Sequence, residues 1–272
     1  KVVLAQINPT VGALKNNAQK IIEIIREYTP KCDLIIFPEM ALTGYPPQDL
    51  LLDKSFIQKT QEVLNGIASS VNSTAVIIGS IRKENHNLYN TAAVIQGGSV
   101  IAYRDKTHLP TYDVFDEVRY FTPSEFVEPV EVSVNGKSVK LGLQICEDLW
   151  DEEYETKVSK SLCNQGAELL INISASPFHI NKLNERIELI CDKAKDLKCN
   201  FIYCNLVGAQ DELVFDGQSC VVSPQGEVMT LYPAFREKIK VIDLDEYKSV
   251  SVPVISEEEQ IYGALSLGVG DY

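Results

Sequence analysis

The chain has 272 residues, 45% of them hydrophobic and 23% charged, an ordinary globular composition that allows one extended core or two small domains. Its formal net charge of −13 argues against a nucleic-acid binder, which needs a basic face for phosphates. No apolar run approaches the roughly 20 residues that span a bilayer, so no membrane partner is expected.

The opening KVVLAQINPTVG lacks a signal-peptide h-region or cleavage site and reads as a strand over residues 2–6. Residues 13–28 follow as a helix, with Ile21, Ile22, Ile24 and Ile25 forming one buried stripe. Residues 34–37 form a second buried strand, ended by Pro38, and residues 49–69 form a helix with Leu52, Phe56, Val63 and Ile67 on one face. Three strands then come in close succession at 75–79, 89–95 and 99–103, and Gly97-Gly98 between the last two signals a hairpin.

The α/β alternation resumes with a strand at 141–145, a helix at 155–164 and a strand at 168–173. A helix at 183–197 and a strand at 201–205 follow, then a hairpin of residues 218–222 and 227–230 and a last strand at 238–242. Two helix-plus-strand halves with hairpins attached predict an α/β fold in which sheets pack face to face with helices outside. The tail carries an acidic stretch at 256–260 and apolar residues Ile261, Leu265 and Leu267 with nothing obvious to cover them.

Cys32, Cys146, Cys163, Cys191, Cys199, Cys204 and Cys220 form no CxxC pair and suggest no disulfide framework, which favours a reducing compartment, most simply the cytoplasm. Of two sequons, the one at Asn172-Ile173-Ser174 falls in an apolar run expected to be buried.

Three segments place a reactive side chain where a strand ends. In Ile35-Ile36-Phe37-Pro38-Glu39 the proline stops the ladder and leaves Glu39 at the strand tip, against an apolar wall that would raise its pKa. A lone glutamate there is more often a cap or a solvated residue. In Tyr103-Arg104-Asp105-Lys106-Thr107-His108, Lys106 has the place to aim a fixed positive charge into a cleft, although most lysines are simply solvated. His108 reads as a turn residue bonded to backbone.

The third segment is LGLQICEDLW (141–150), where a buried strand delivers Cys146 to a sharp turn before a helix. That geometry suits a nucleophile elbow, with the next backbone N–H free to bind an oxyanion. The commonest fate of a free cysteine is instead a small core hydrophobe, and the acids Glu147, Asp148 and Asp151 oppose thiolate formation. His86, His108 and His179 stand in no metal-ligand spacing, and no GxxxxGK[ST] or GxGxxG loop occurs. With no histidine selected as a base for Cys146, a carboxylate remains, and Glu39 is the candidate.

The ordered set FPEMALTGYPPQDLL (37–51), YRDKTHLPTYDVFDEVRYF (103–121), LGLQICEDLW and INISASPFHINK (171–182) resembles the nitrilase superfamily with its Glu-Lys-Cys triad. More narrowly, it is similar to the N-terminal glutaminase domains of glutamine-dependent NAD+ synthetases, as are residues 205–227 and 258–272. The resemblance implies an α-β-β-α sandwich, with a glutaminase domain over 1–250 and a linker with partial helix over 251–272 that leads to a synthetase domain in cis. ATP and Mg2+ would belong to that absent domain, whose SGGxDS loop does not occur here, and no cofactor is implied for this one. A homo-oligomer is implied as well.

By the same resemblance Cys146 matches the nucleophile, Glu39 the base, Lys106 the oxyanion partner and Glu117 a second, supporting glutamate. Tyr112, Glu147, Ser176 and Lys182 fall where that family contacts the amino-acid end of L-glutamine. Asn181 and Gln218 stand where the family has glycine, which puts the adjoining loops in question. The competing readings are a free-standing amidase for another small amide and a catalytically idle scaffolding domain.

Overall fold

Apolar strands alternate with amphipathic helices along the whole chain in the computed structural model, which describes residues 1–112, 115–246 and 248–272. The first half comprises β1 (Val2–Gln6), α1 (Leu14–Tyr28), β2 (Leu34–Ile36), α2 (Lys54–Ala68), β3 (Ala75–Glu84), β4 (Asn87–Gln96) and β5 (Ser99–Asp105). Next come β6 (Val130–Val134), β7 (Lys137–Ile145), α3 (Val158–Asn164), β8 (Leu169–Ser174), α4 (Lys182–Leu197) and β9 (Asn200–Asn205). The last part holds β10 (Val207–Gln210), β11 (Leu213–Asp216), β12 (Cys220–Val222), β13 (Val228–Leu231), β14 (Lys238–Ile242) and α5 (Glu257–Asp271).

Two six-stranded mixed sheets result, in the orders β14-β1-β2-β3-β4-β5 and β13-β12-β9-β8-β7-β6. Their centres are parallel (β1-β2-β3 and β7-β8-β9) and their flanks antiparallel. The period of two along each strand sorts the side chains into layers. Val2, Leu4, Leu34 and Ile36 of the first sheet meet Leu143, Ile145, Ile171 and Ile173 of the second. The alternate residues Val3, Ala5, Ile35 and Val76 lie under Ile21 and Ile25 of α1 and Leu64 and Ile67 of α2.

On the far side, Leu170, Phe201 and Tyr203 pack under Leu162 of α3 and Ile187 and Ile190 of α4. Strands covered on both faces carry unbroken apolar runs for this reason. Truncating Ile36, which is fully buried between the sheets, to Ala would cost about 2–5 kcal/mol. The expected α-β-β-α sandwich is the observed fold.

Some boundaries differ from the sequence reading. The helix expected over 49–69 is broken at Asp53, whose carboxylate accepts from Ser55 N at 2.8 Å and caps α2, while Gln48–Leu52 is a separate 3-10 turn. The helix expected over 155–164 begins only at Val158, because Lys157 Nζ is drawn back to the carbonyls of Asp151 and Glu152. Two hairpins were missed. One is β6-β7, turned at Asn135-Gly136 with φ of 51° and 76°, and the other is β10-β11.

The tail folds as α5, started by a capping box between Ser256 and Glu259. Gly263 lies so close to the Phe235 ring that a Cβ would stand 2.4 Å from it, and Asp271 accepts from Ala209 N at 2.7 Å. Ile261, Leu265 and Val269 stay exposed. Among the described residues no helix is long and apolar enough to cross a membrane.

Candidate active site

Glu39 follows β2, Lys106 follows β5, Cys146 follows β7 and Ser176 follows β8, so strand ends of both sheets converge on one place. Lys106 is 1% exposed, and its Nζ donates to Glu39 Oε1 and Glu117 Oε1, both at 2.9 Å. Burial by itself lowers a lysine pKa, but Glu117 and Glu39 outweigh it and hold Lys106 well above its ordinary range. The ammonium is therefore a fixed charge.

Glu39 does not face the apolar wall that the strand suggested. Its Oε1 also accepts from Asn90 Nδ2 at 2.6 Å, and its Oε2 accepts from Ala175 N at 2.7 Å. These donors come from β4 and from the residue after β8, so both sheets aim the one carboxylate. Glu117 accepts from Tyr45 OH at 3.0 Å, while its Oε2 is buried with no partner among the described residues. Burial, then the charge of Glu39, raises the Glu117 pKa against the opposing pull of Lys106.

Cys146 has φ of +44°, a left-handed conformation that costs a non-glycine residue about 1–3 kcal/mol and must be held by its surroundings. Asp148 does the holding. This fully buried carboxylate accepts from Ile145 N at 3.0 Å on one side of the elbow. It also accepts from Thr107 N at 3.0 Å and His108 N at 2.8 Å, tying the turn after Lys106 to the turn at Cys146. Asn172 Nδ2, in the buried sequon on β8, donates to the Cys146 carbonyl at 3.3 Å. Burial, and after it the charge of Glu39, pushes the Cys146 thiol well above its ordinary pKa, with Lys106 opposing. These surroundings favour the thiol form of the resting sulfur.

Cys146 opens on a cleft of about 990 Å³ whose walls include Tyr112, Glu147, Ser176 and Lys182. All four candidate binding residues thus line the cleft that holds the sulfur. Glu147 accepts from Tyr112 OH at 2.8 Å and from Tyr154 OH at 3.0 Å. Lys182 Nζ sits 3.9 Å above the Trp150 ring, and burial followed by the nearby Arg186 charge lowers its pKa.

Asn181 and Gln218 adopt φ of 69° and 54°, so both stand in the left-handed conformation that glycine favours. Asp113 and Val114, within the motif over 103–121, lie outside the described residues. A second cavity, of about 320 Å³, is bordered by Tyr45 and Glu117 and adjoins the cleft through Phe115, Glu212 and Leu213.

Sequence reasoning missed Asn90, Tyr45, Tyr154 and the bracing role of Asp148. Asn90 left a signal, since it is a polar residue inside a strand otherwise expected to be buried. Tyr154 left none, because its contact with Glu147 depends on how the loop after the elbow folds back. His108 does bond to backbone, at 2.9 Å from Thr156 O, but it is buried and stacked on Tyr154.

The chain spans about half the length of the curated relatives it matches. It is 38% identical over 306 residues to the glutamine-dependent NAD(+) synthetase of Aquifex aeolicus (strain VF5), covering 99% of this chain and 53% of that protein. It is 40% identical over 258 residues to that of Thermotoga maritima, covering 94% and 44%. The structure of glutamine-dependent NAD+ synthetase from Acinetobacter baumannii in complex with ADP superposes with a TM-score of 0.90 at 34% identity, over 100% of this chain and 51% of that one. An amidase from Nesterenkonia sp. AN1 superposes with a TM-score of 0.76 at 22% identity over 89% and 92%, a likeness of fold. The carbon–nitrogen hydrolase pattern runs through residues 1–251, across both sheets and every strand end that builds the site, and the chain belongs to the carbon–nitrogen hydrolase family.

Proposed function

We propose that this chain is the glutaminase part of a glutamine-dependent NAD+ synthetase, hydrolysing the side-chain amide of L-glutamine through a Cys146 thioester. The observation that carries the reading is the single cleft that sets Glu147 with its two tyrosines, Ser176 and Lys182 around Cys146. Glutamine presents an ammonium and a carboxylate at the end remote from its amide. The ammonium needs an acid, which Glu147 and Tyr112 supply, and the carboxylate needs a donor or cation, which Ser176 and Lys182 supply. A simple aliphatic amide has no use for these groups. The similarity to glutamine-dependent NAD+ synthetases, each spanned for about half its length, supports the same substrate.

In this mechanism Glu39 takes the Cys146 proton as the sulfur attacks the amide carbon. A thiol held in its neutral form by burial requires that coupling. Lys106 and the backbone N–H of Glu147 hold the developing oxyanion. Glu39 then protonates the departing ammonia, and water deprotonated by Glu39 hydrolyses the γ-glutamyl thioester. Glu117 braces Lys106 from the other side, through the 2.9 Å bond that leaves its charge centred between two carboxylates.

The ammonia would pass to a synthetase domain in cis, which would hold ATP and Mg2+ and use them for the amidation of deamido-NAD+ to NAD+. A cytoplasmic location and assembly as a homo-oligomer belong to the same reading; the seven free cysteines support the former.

The test is labelling with a glutamine-mimicking diazoketone, followed by digestion and mass spectrometry. A single adduct on Cys146, suppressed by L-glutamine but not by a short aliphatic amide, is expected. Labelling spread over several cysteines and indifferent to glutamine refutes the proposal.

A further inference from the structure

Beneath Ser176 the structure closes a ring of buried polar groups that the chemical steps above leave unused. Arg186 lies on α4 one turn after Lys182, on the same face of the helix, and is wholly buried. Its guanidinium grips Asp216 in bidentate fashion, Nη2 to Oδ1 at 3.1 Å and Nη1 to Oδ2 at 3.2 Å. The same Nη2 reaches Ser176 Oγ at 3.4 Å. Asn205 completes the ring. Its Nδ2 donates to Asp216 Oδ1 at 3.2 Å and to Gly217 O at 2.9 Å, and its Oδ1 accepts from Ser176 N at 3.0 Å.

A guanidinium has donors and no acceptor. Where it meets Ser176, the hydroxyl oxygen must accept, and the hydroxyl proton is left to point elsewhere. The serine backbone N–H is already committed to Asn205, so the residue is held by two independent bonds while its side chain lines the cleft. A serine free to rotate would as readily present its lone pairs to the cleft and repel an anion. Arg186 removes that choice, and the Asp216 carboxylate that holds it balances its charge.

We propose that Arg186, locked by Asp216 and Asn205, is a positioning residue that fixes Ser176 as a hydrogen-bond donor toward the carboxylate of an α-amino-acid amide. Arg186 acts through Ser176 and does not touch the substrate. The inference rests on the glutamine reading of the cleft and adds the device that makes the cleft select an anionic end.

The test uses the chain with Arg186→Lys, Ser176→Ala and the two combined. Cys146 is alkylated with iodoacetamide, which carries no carboxylate, and protection is titrated with L-glutamine and with 4-aminobutyramide, which keeps the ammonium and amide but lacks the carboxylate. Arg186→Lys is expected to weaken glutamine protection about tenfold, the size of one charge-assisted hydrogen bond at the low end. Protection by 4-aminobutyramide and the unprotected alkylation rate stay within about twofold, and in the Ser176→Ala background the Arg186 change adds nothing further.

Equal weakening of both ligands would mean a merely structural ion pair and overturn the proposal. So would glutamine protection unchanged in Arg186→Lys. If Arg186→Lys does not fold, Arg186→Met with Asp216→Asn removes both buried charges together and is read in the same way. Absence of glutamine protection in the wild-type chain would overturn the glutamine reading itself, an outcome visible before any variant is compared.

Discussion

Replacing Asp148 with Asn should separate the two turns that build the site. The carboxylate is fully buried, accepts three backbone N–H groups at 2.8–3.0 Å and lies 3.8 Å from the buried Arg104. An asparagine keeps one acceptor oxygen. Aimed at Thr107 and His108, it holds the Lys106 turn but sets its own NH2 against the Ile145 N–H. One charge-assisted bond is then lost and two become neutral, a cost of about 4 kcal/mol. For a chain of 272 residues that corresponds to a fall in Tm of about 7 °C. Arg104 would also lose a partner charge that opposes its burial.

Differential scanning calorimetry measures the loss, and iodoacetamide labelling of Cys146 in the folded variant reports the elbow. A Tm within about 2 °C of the wild type, with unchanged labelling, would refute the bracing role argued from these distances.

Glu39→Gln leaves a side chain of the same shape that cannot take the thiol proton, so glutaminase turnover of the folded variant should fall by at least about a hundredfold. The Tm should fall too, since the amide NH2 must face one of the donors that Glu39 now satisfies, and full turnover would remove Glu39 as base. Tyr154→Phe deletes one of the two hydroxyls on Glu147, and KM for glutamine should rise about three- to tenfold with kcat nearly unchanged. Alkaline stability should fail in a defined order. Cys146 is raised above its ordinary 9.0 and Lys106 above 10.5, each keeping its proton in the folded chain after the unfolded chain has lost it. The stability they contribute is complete below those ordinary values and is lost as pH rises toward the folded ones, so the Tm should begin to drop above about pH 9. The alkylation rate of Cys146 should keep climbing there as well, and a plateau near pH 8 would contradict the raised thiol.

The two missed hairpins and the broken helix differ in how legible they are in the sequence. Asn135-Gly136 between alternating residues is a strong local turn signal, and β6 was legible in the sequence but passed over. The β10-β11 pair had no such signal, and its place under α5 is set by packing. The break at Asp53 in the expected helix follows from side-chain capping, which competes locally with helix continuation.

The sequence by itself determined that the fold is layered, because strands with unbroken apolar runs and single-striped helices can hide those surfaces in only a small set of layered arrangements. It also determined which residue types stand at the strand ends, including Glu39, Lys106 and Cys146. Only the tertiary structure decided what those residues meet. Glu39 and Lys106 are 67 residues apart and share a 2.9 Å bond, while Glu39 and Ala175 are 136 apart and share one of 2.7 Å. Contacts across such separations leave no periodicity in the chain. They arise when two sheets stack with their strand ends aligned, and the polarity of the resulting pocket is a property of that stacking.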